Sequence, residues 1–137
     1  MTSDEIIAYM QANDRFAAAN GIRLVEASPG RAVAEMEVAA SHLNAVGVVH
    51  GGALFALADF SFAVACNCGG TLSLAVNTTM NFVRPVTAGI LRAVCEQVAD
   101  GKLASYQAKI FDQEGQVIAL FTGLAYRKKE SFPFSPR

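Results

Sequence analysis

The sequence predicts an α+β fold, a curved antiparallel β-sheet wrapped around one long central helix, with a short N-terminal helix. The order of elements is helix, two strands, an apolar helix and then four strands, with no βαβ alternation and no internal repeat. The separators between strands are short turn signals, which imply antiparallel neighbours. The stretch Ala53 to Cys66 is apolar on every face, so its helix is buried all round rather than laid on a surface.

In chain order, Thr2 or Ser3 can cap a first helix with Asp4 and Glu5 in its first turn. Its apolar side is Ile6, Ile7, Met10 and Phe16, and it ends by Asn20-Gly21. Ile22 to Ala27 and Arg31 to Val38 read as a hairpin joined by Ser28-Pro29-Gly30. Ala39 to His50 is a polar loop that delivers the chain to the central helix. That helix, of about four turns, is bounded by Gly51-Gly52 and Gly69-Gly70 and is rich in Ala and Leu. Leu72 to Val83, Ile90 to Ala99, Ala104 to Phe111 and Val117 to Tyr126 follow as strands, divided by Arg84-Pro85, Asp100-Gly101 and Asp112 to Gly115. Residues 127–137 read as a frayed polar tail.

With 137 residues the chain is expected to be a single domain, 1–137, burying roughly two-thirds of its unfolded surface. A net charge of -1 and 17% charged residues argue against nucleic acid, which needs a concentrated basic face. A hydrophobic content of 53% is more than a small monomer can cover, so homo-oligomerisation is expected. Glycines, a His and an Asp interrupt the apolar window, so no membrane span is expected. Met1 to Asp14 holds acidic residues and no basic one, unlike a signal or transit peptide, and the expected location is cytoplasmic. Cys66, Cys68 and Cys95 are read as reduced and buried, and His42 and His50 lack metal-ligand spacing, so no metal is expected.

Between Val38 and Val83 the single charged residue is Asp59, in the middle of the apolar helix. An ionised carboxylate there is costly unless it is paired, hydrated or functional. Asp59 lies eight residues after Gly51, which at about 1.5 Å per residue puts the two about 12 Å apart along one helix. One substrate carbonyl cannot touch both within a single chain.

The series His42-x-Asn44-x-x-Gly47-x-x-His50-Gly51-Gly52-x-x-Phe55-x-Leu57-Ala58-Asp59, followed by Asn81-Phe82-x-Arg84-Pro85, resembles the hotdog-fold acyl-CoA thioesterases of the phenylacetate-degradation type. The resemblance runs from Ile22 to Tyr126. It implies a hotdog fold, a dimer with a continuous sheet or a dimer of dimers, and hydrolysis of an acyl-CoA thioester without a cofactor. By position, Asp59 matches the family's catalytic carboxylate and Gly51 its backbone N–H donor to the thioester oxygen. Asn44 and His50 match positions that line the site and order its loop. Relatives often offer a Ser or Thr from the next strand, where Ala75, Asn77, Thr78 and Thr79 all stand here.

Thioester hydrolysis needs a group that activates water or attacks the carbonyl, and donors aimed at the developing oxyanion. Asp59 suits either role. If Gly51 and Asp59 serve one reaction, Asp59 must come from a second subunit whose central helix runs antiparallel beside the first. Gly51 and Gly52 open the helix start to close approach, and the first-turn N–H groups are the donors. Phe82, with Phe55, Phe60 and Phe62, belongs either to core or to an acyl pocket. Arg84 heads the cations that could meet CoA phosphates, before Arg92, Lys102, Arg127 and Lys128. The rival reading is a non-catalytic acyl-CoA-binding or regulatory protein. The acyl group, aryl or fatty, stays open.

Overall fold

The computed structural model describes residues 1–132 of the chain. The Thr2 hydroxyl accepts the Glu5 N–H at 3.2 Å and starts α1 (Ser3–Asn13), which buries Ile6 and Met10. The single N-terminal helix expected to run to Asn20 is in fact two. Asp14 leaves helical geometry at ψ 91° and caps a second helix, α2 (Arg15–Ala19), by accepting the Ala17 N–H at 2.9 Å. Phe16 is therefore not on the buried side of a first helix but 68% exposed on α2.

Six strands follow the expected positions: β1 (Ile22–Ser28), β2 (Arg31–Glu37), β3 (Thr71–Phe82), β4 (Ile90–Ala99), β5 (Leu103–Phe111) and β6 (Val117–Ser131). They form one antiparallel sheet in the order β1-β2-β4-β5-β6-β3. Four of the five ladders carry a register irregularity, at Leu24/Glu26, Thr71/Ser73 and Ala75/Asn77, Gln97/Ala99, and Ile110/Phe111. Such bulges bend and twist a sheet, which lets this one curl around the central helix α3 (Gly51–Asn67). On the outer face, Glu35 is gripped by Arg23 at 2.5 Å and by Arg92 at 2.6 Å, tying β1, β2 and β4 together.

Two expectations are corrected. The short Arg84-Pro85 separator does not make β3 and β4 neighbours: β3 pairs with β6, and β4 lies between β2 and β5. The segment 83–89 is a crossover instead. It is held to β6 by Val83 and Arg84 N–H groups on Ile118 O, and to the start of α3 by Val49 N–H on Val86 O at 2.8 Å. The polar tail is also shorter than expected. Arg127 to Glu130 belong to β6, because β3 pairs with Arg127 and Ser131 around this run, the Lys102 carbonyl accepts the Arg127 N–H at 2.9 Å, and Arg127 pairs with Asp100 at 2.6 Å. Residues 133–137 lie outside the described part of the chain.

The core forms where α3 meets the inner face of the sheet. Phe62 stacks edge-on against Tyr106 and tilted against Phe121, at centroid separations of 5.4 and 5.6 Å. The ring occupies the space that a side chain at Gly123 would need, since a Cβ there would stand 2.8 Å from Phe62 Cζ. Gly123→Ala is therefore expected to lower stability by about 1–3 kcal/mol through overpacking. In a denaturant titration the midpoint should drop with an unchanged slope. An unmoved midpoint would mean that the ring has room to shift.

Candidate active site

The loop before α3 is shaped by side chains that satisfy its own backbone. Buried His42 accepts the Ala39 N–H at Nδ1 (2.9 Å) and donates from Nε2 to Asn20 O (2.8 Å), which locks a neutral tautomer. Asn44 Oδ1 accepts the N–H groups of Val46 (3.0 Å) and Val48 (3.2 Å) around Gly47, whose φ of 83° closes the turn. Asn44 thus orders the loop.

His50 has extended geometry and serves as N-cap of α3, its Nδ1 accepting the Gly52 N–H at 2.8 Å. Its carbonyl accepts Ala53 N–H (2.9 Å) and Leu54 N–H (3.2 Å). Gly51 N–H is left without an acceptor among the described residues. The positive end of the helix therefore offers one free donor. The glycines serve close approach rather than unusual backbone angles. A Cβ at Gly51 would lie 3.0 Å from Phe82 Cζ, and one at Gly52 3.0 Å from His50 Nδ1.

Gly51 opens into a cleft of about 310 Å³ walled by Val49, Leu54, Phe82, Pro85 and Val86, with Arg84 at its lining. Arg84 is exposed and makes no salt bridge among the described residues. The crossover 83–89 supplies half of this wall, so the unexpected strand order is what brings Phe82 and Arg84 to the helix start.

The less buried stripe of α3 is Gly52, Phe55, Asp59 and Ala63, at helical spacing. It forms a second cleft of about 330 Å³, completed by Asp14, Phe16 and Ala17 of the N-terminal segment. Burial pushes the Asp59 carboxyl above its ordinary range, and the Asp14 carboxylate in the same wall raises it further. A carboxyl in these surroundings is a stronger base than one in water.

Gly51 and Asp59 thus stand in different clefts of one chain. On β3, register separates the remaining candidates. Thr78 pairs with Gly123, which lies under Phe62, and so faces α3. Asn77 and Thr79 pair with Leu124 and Thr122 on the opposite face and are not brought to the helix side, because alternate residues of a strand point to opposite faces. Arg92 and Arg127 are engaged by Glu35 and Asp100, and Lys102 sits 5.5 Å from the centre of the Tyr126 ring. None of the three lines the Gly51 cleft. Asp14 and Phe16 went unnoticed as site residues in the sequence. The signal for Asp14 was a capping Asp followed by Arg-Phe-Ala-Ala-Ala. The three cysteines are free and buried, Cys66 with its thiol pushed up to about 12 by burial. No described helix is long and apolar enough to cross a membrane.

A six-stranded antiparallel sheet of this order wrapped on one long buried helix is a hotdog fold. The family model described as the thioesterase superfamily matches residues 46–119, and the chain belongs to that family. Acyl-coenzyme A thioesterase PaaI of Escherichia coli K12 is 40% identical over 120 residues, 86% of each chain. The solved structure of the E. coli PaaI protein from the phenylacetic acid degradation operon is similar with a TM-score of 0.90 and 36% identity, over 94% of this chain and 95% of that one. A mutant of the phenylacetic acid degradation protein PaaI of Thermus thermophilus gives 0.79 and 37%, over 82% and 98%.

Proposed function

We propose that the protein is an acyl-CoA thioesterase in which Asp59 of one subunit and the Gly51 N–H of another serve one thioester. The carrying observation is that the unpartnered Gly51 N–H and the half-buried Asp59 carboxylate share a helix but open into separate clefts. A second α3 running antiparallel beside the first brings each Asp59 to the other chain's Gly51. β3 supports this arrangement, since it is an edge strand with Leu74 50% and Val76 55% exposed. Pairing of two such edges makes a continuous sheet and lays the two helices side by side.

In this reading the thioester carbonyl oxygen accepts the Gly51 N–H, and charge that develops on it is met by the helix start. Asp59 either removes a proton from the attacking water or attacks the carbonyl itself, and CoA leaves as the thiol. Thr78, on the helix side of β3, is the strand residue suited to hold the substrate or water. His50 and Asn44 keep the Gly51 donor aimed by holding the helix start and its loop. The coenzyme departs past Arg84. The protein acts, on this reading, as a dimer or a dimer of dimers and without a cofactor.

The test is thiol release from a panel of acyl-CoA thioesters, spanning phenylacetyl, hydroxyphenylacetyl, benzoyl and straight-chain groups. Turnover of any member supports the enzyme. Binding of the panel with no thiol release would replace it by an acyl-CoA-binding or regulatory protein. Within the same assay Arg84→Ala is expected to raise KM for acyl-CoA about tenfold, the equivalent of ~1.4 kcal/mol, with kcat little changed. An unchanged KM would remove Arg84 from the coenzyme's path.

A further inference from the structure

Phe16 is 68% exposed, although the neighbouring Ala17 is 4% exposed. The exposure is not that of a loose loop. The Phe16 carbonyl accepts both the backbone N–H of Asn20 (3.1 Å) and its side-chain Nδ2–H (2.9 Å). Asp14 caps the same short helix, and Asn20 O accepts His42 Nε2–H from the loop that leads to His50. The backbone that carries the ring is therefore held in place, and the ring lines the cleft that contains Asp59. An apolar surface fixed at the rim of a concave site is a feature of ligand binding.

We propose that Phe16 is the specificity-determining residue of this enzyme, its ring closing the Asp59 cleft on the acyl group so that aryl and short-chain acyl groups are accepted and long chains are not. The inference rests on the reading of Asp59 as the active-site carboxylate. The cleft suits the acyl end of the substrate by its chemistry. Phe55, Ala56, Phe60 and Ala63 make the rest of the wall apolar, and alanines leave room for a flat or slender group between the rings. The charged members of the wall, Asp14 and Asp59, repel the phosphates of CoA, which directs that end of the substrate away from this cleft.

The experiment compares kcat/KM for decanoyl-CoA and phenylacetyl-CoA in wild type, Phe16→Ala and Phe16→Trp, with the oligomeric state of each followed by light scattering. Phe16→Ala is expected to raise the decanoyl-to-phenylacetyl ratio about tenfold or more, and Phe16→Trp to lower it, with assembly unchanged. A ratio that stays constant in both variants overturns the proposal. A change of assembly in Phe16→Ala without a change of ratio also overturns it and makes Phe16 an intersubunit contact. Absence of turnover by wild type on the whole panel removes the thioesterase reading together with this one. Turnover by wild type with unresponsive ratios removes only the role of Phe16.

Discussion

Asp59→Asn is expected to reduce kcat/KM for the best acyl-CoA by about 10²–10⁴-fold, the range that a positioned proton acceptor contributes. The same substitution is expected to raise thermal stability at neutral pH. The carboxyl has its ordinary value in the unfolded chain, whereas burial and Asp14 hold it higher in the folded one. Between those two values the folded state binds more protons, so stability falls as pH rises through that window and stays reduced above it. Asn keeps the shape without the ionisation, and its melting temperature should exceed that of wild type at pH 7 and approach it in acid. Loss of both activity and stability would instead mark Asp59 as a structural hydrogen-bonding group. The pH profile carries a linked expectation. The acid limb of kcat/KM should lie above the ordinary carboxylate range and move to lower pH in Asp14→Asn, because removing the neighbouring charge eases ionisation of Asp59.

Gly51→Pro tests the other half of the site. Proline lacks the N–H but suits the first position of a helix, and the extended geometry of His50 before it is compatible with a following proline. Its Cβ requires Phe82 to move by a few tenths of an ångström, which an exposed side chain at a strand end can do. The expected loss is about 10²–10³ in kcat, the effect of removing one oxyanion donor. Mixing then decides whether the site is shared. In a heterodimer of Asp59→Asn and Gly51→Pro chains, one site carries both defects and the other carries neither. Re-associated mixtures should therefore recover up to about half the wild-type activity per heterodimer, although each parent is nearly inactive. If mixtures remain as inactive as the parents, Gly51 and Asp59 act within one chain or not together.

Much of this architecture was legible because it depends on patterns local in the chain. The apolar run from Ala53 to Cys66 could only be a buried helix, and its lone carboxylate stood out for the energetic reason that it does not belong in a core. The glycines at 51 and 52 were correctly placed at a helix start. Their reasons for being glycine were not visible, since Phe82 and the His50 imidazole reach them only after folding. The alternation that places Thr78 toward α3 and Asn77 and Thr79 away from it was equally hidden, because β3 carries a bulge and its register is set by the partner strand.

Sequence alone determined the elements, their order and the residues able to do chemistry, because helix and strand periodicity, capping and the cost of burying charge act within a few residues. Tertiary structure decided what those residues face. The crossover that separates β3 from β4 carries Phe82 and Arg84 to the helix start, and the capping break at Asp14 turns α2 so that Phe16 stands at the Asp59 cleft. Both depend on which distant segments pair and pack, a balance of ladder hydrogen bonds and apolar burial over the whole sheet that no short stretch of the chain contains.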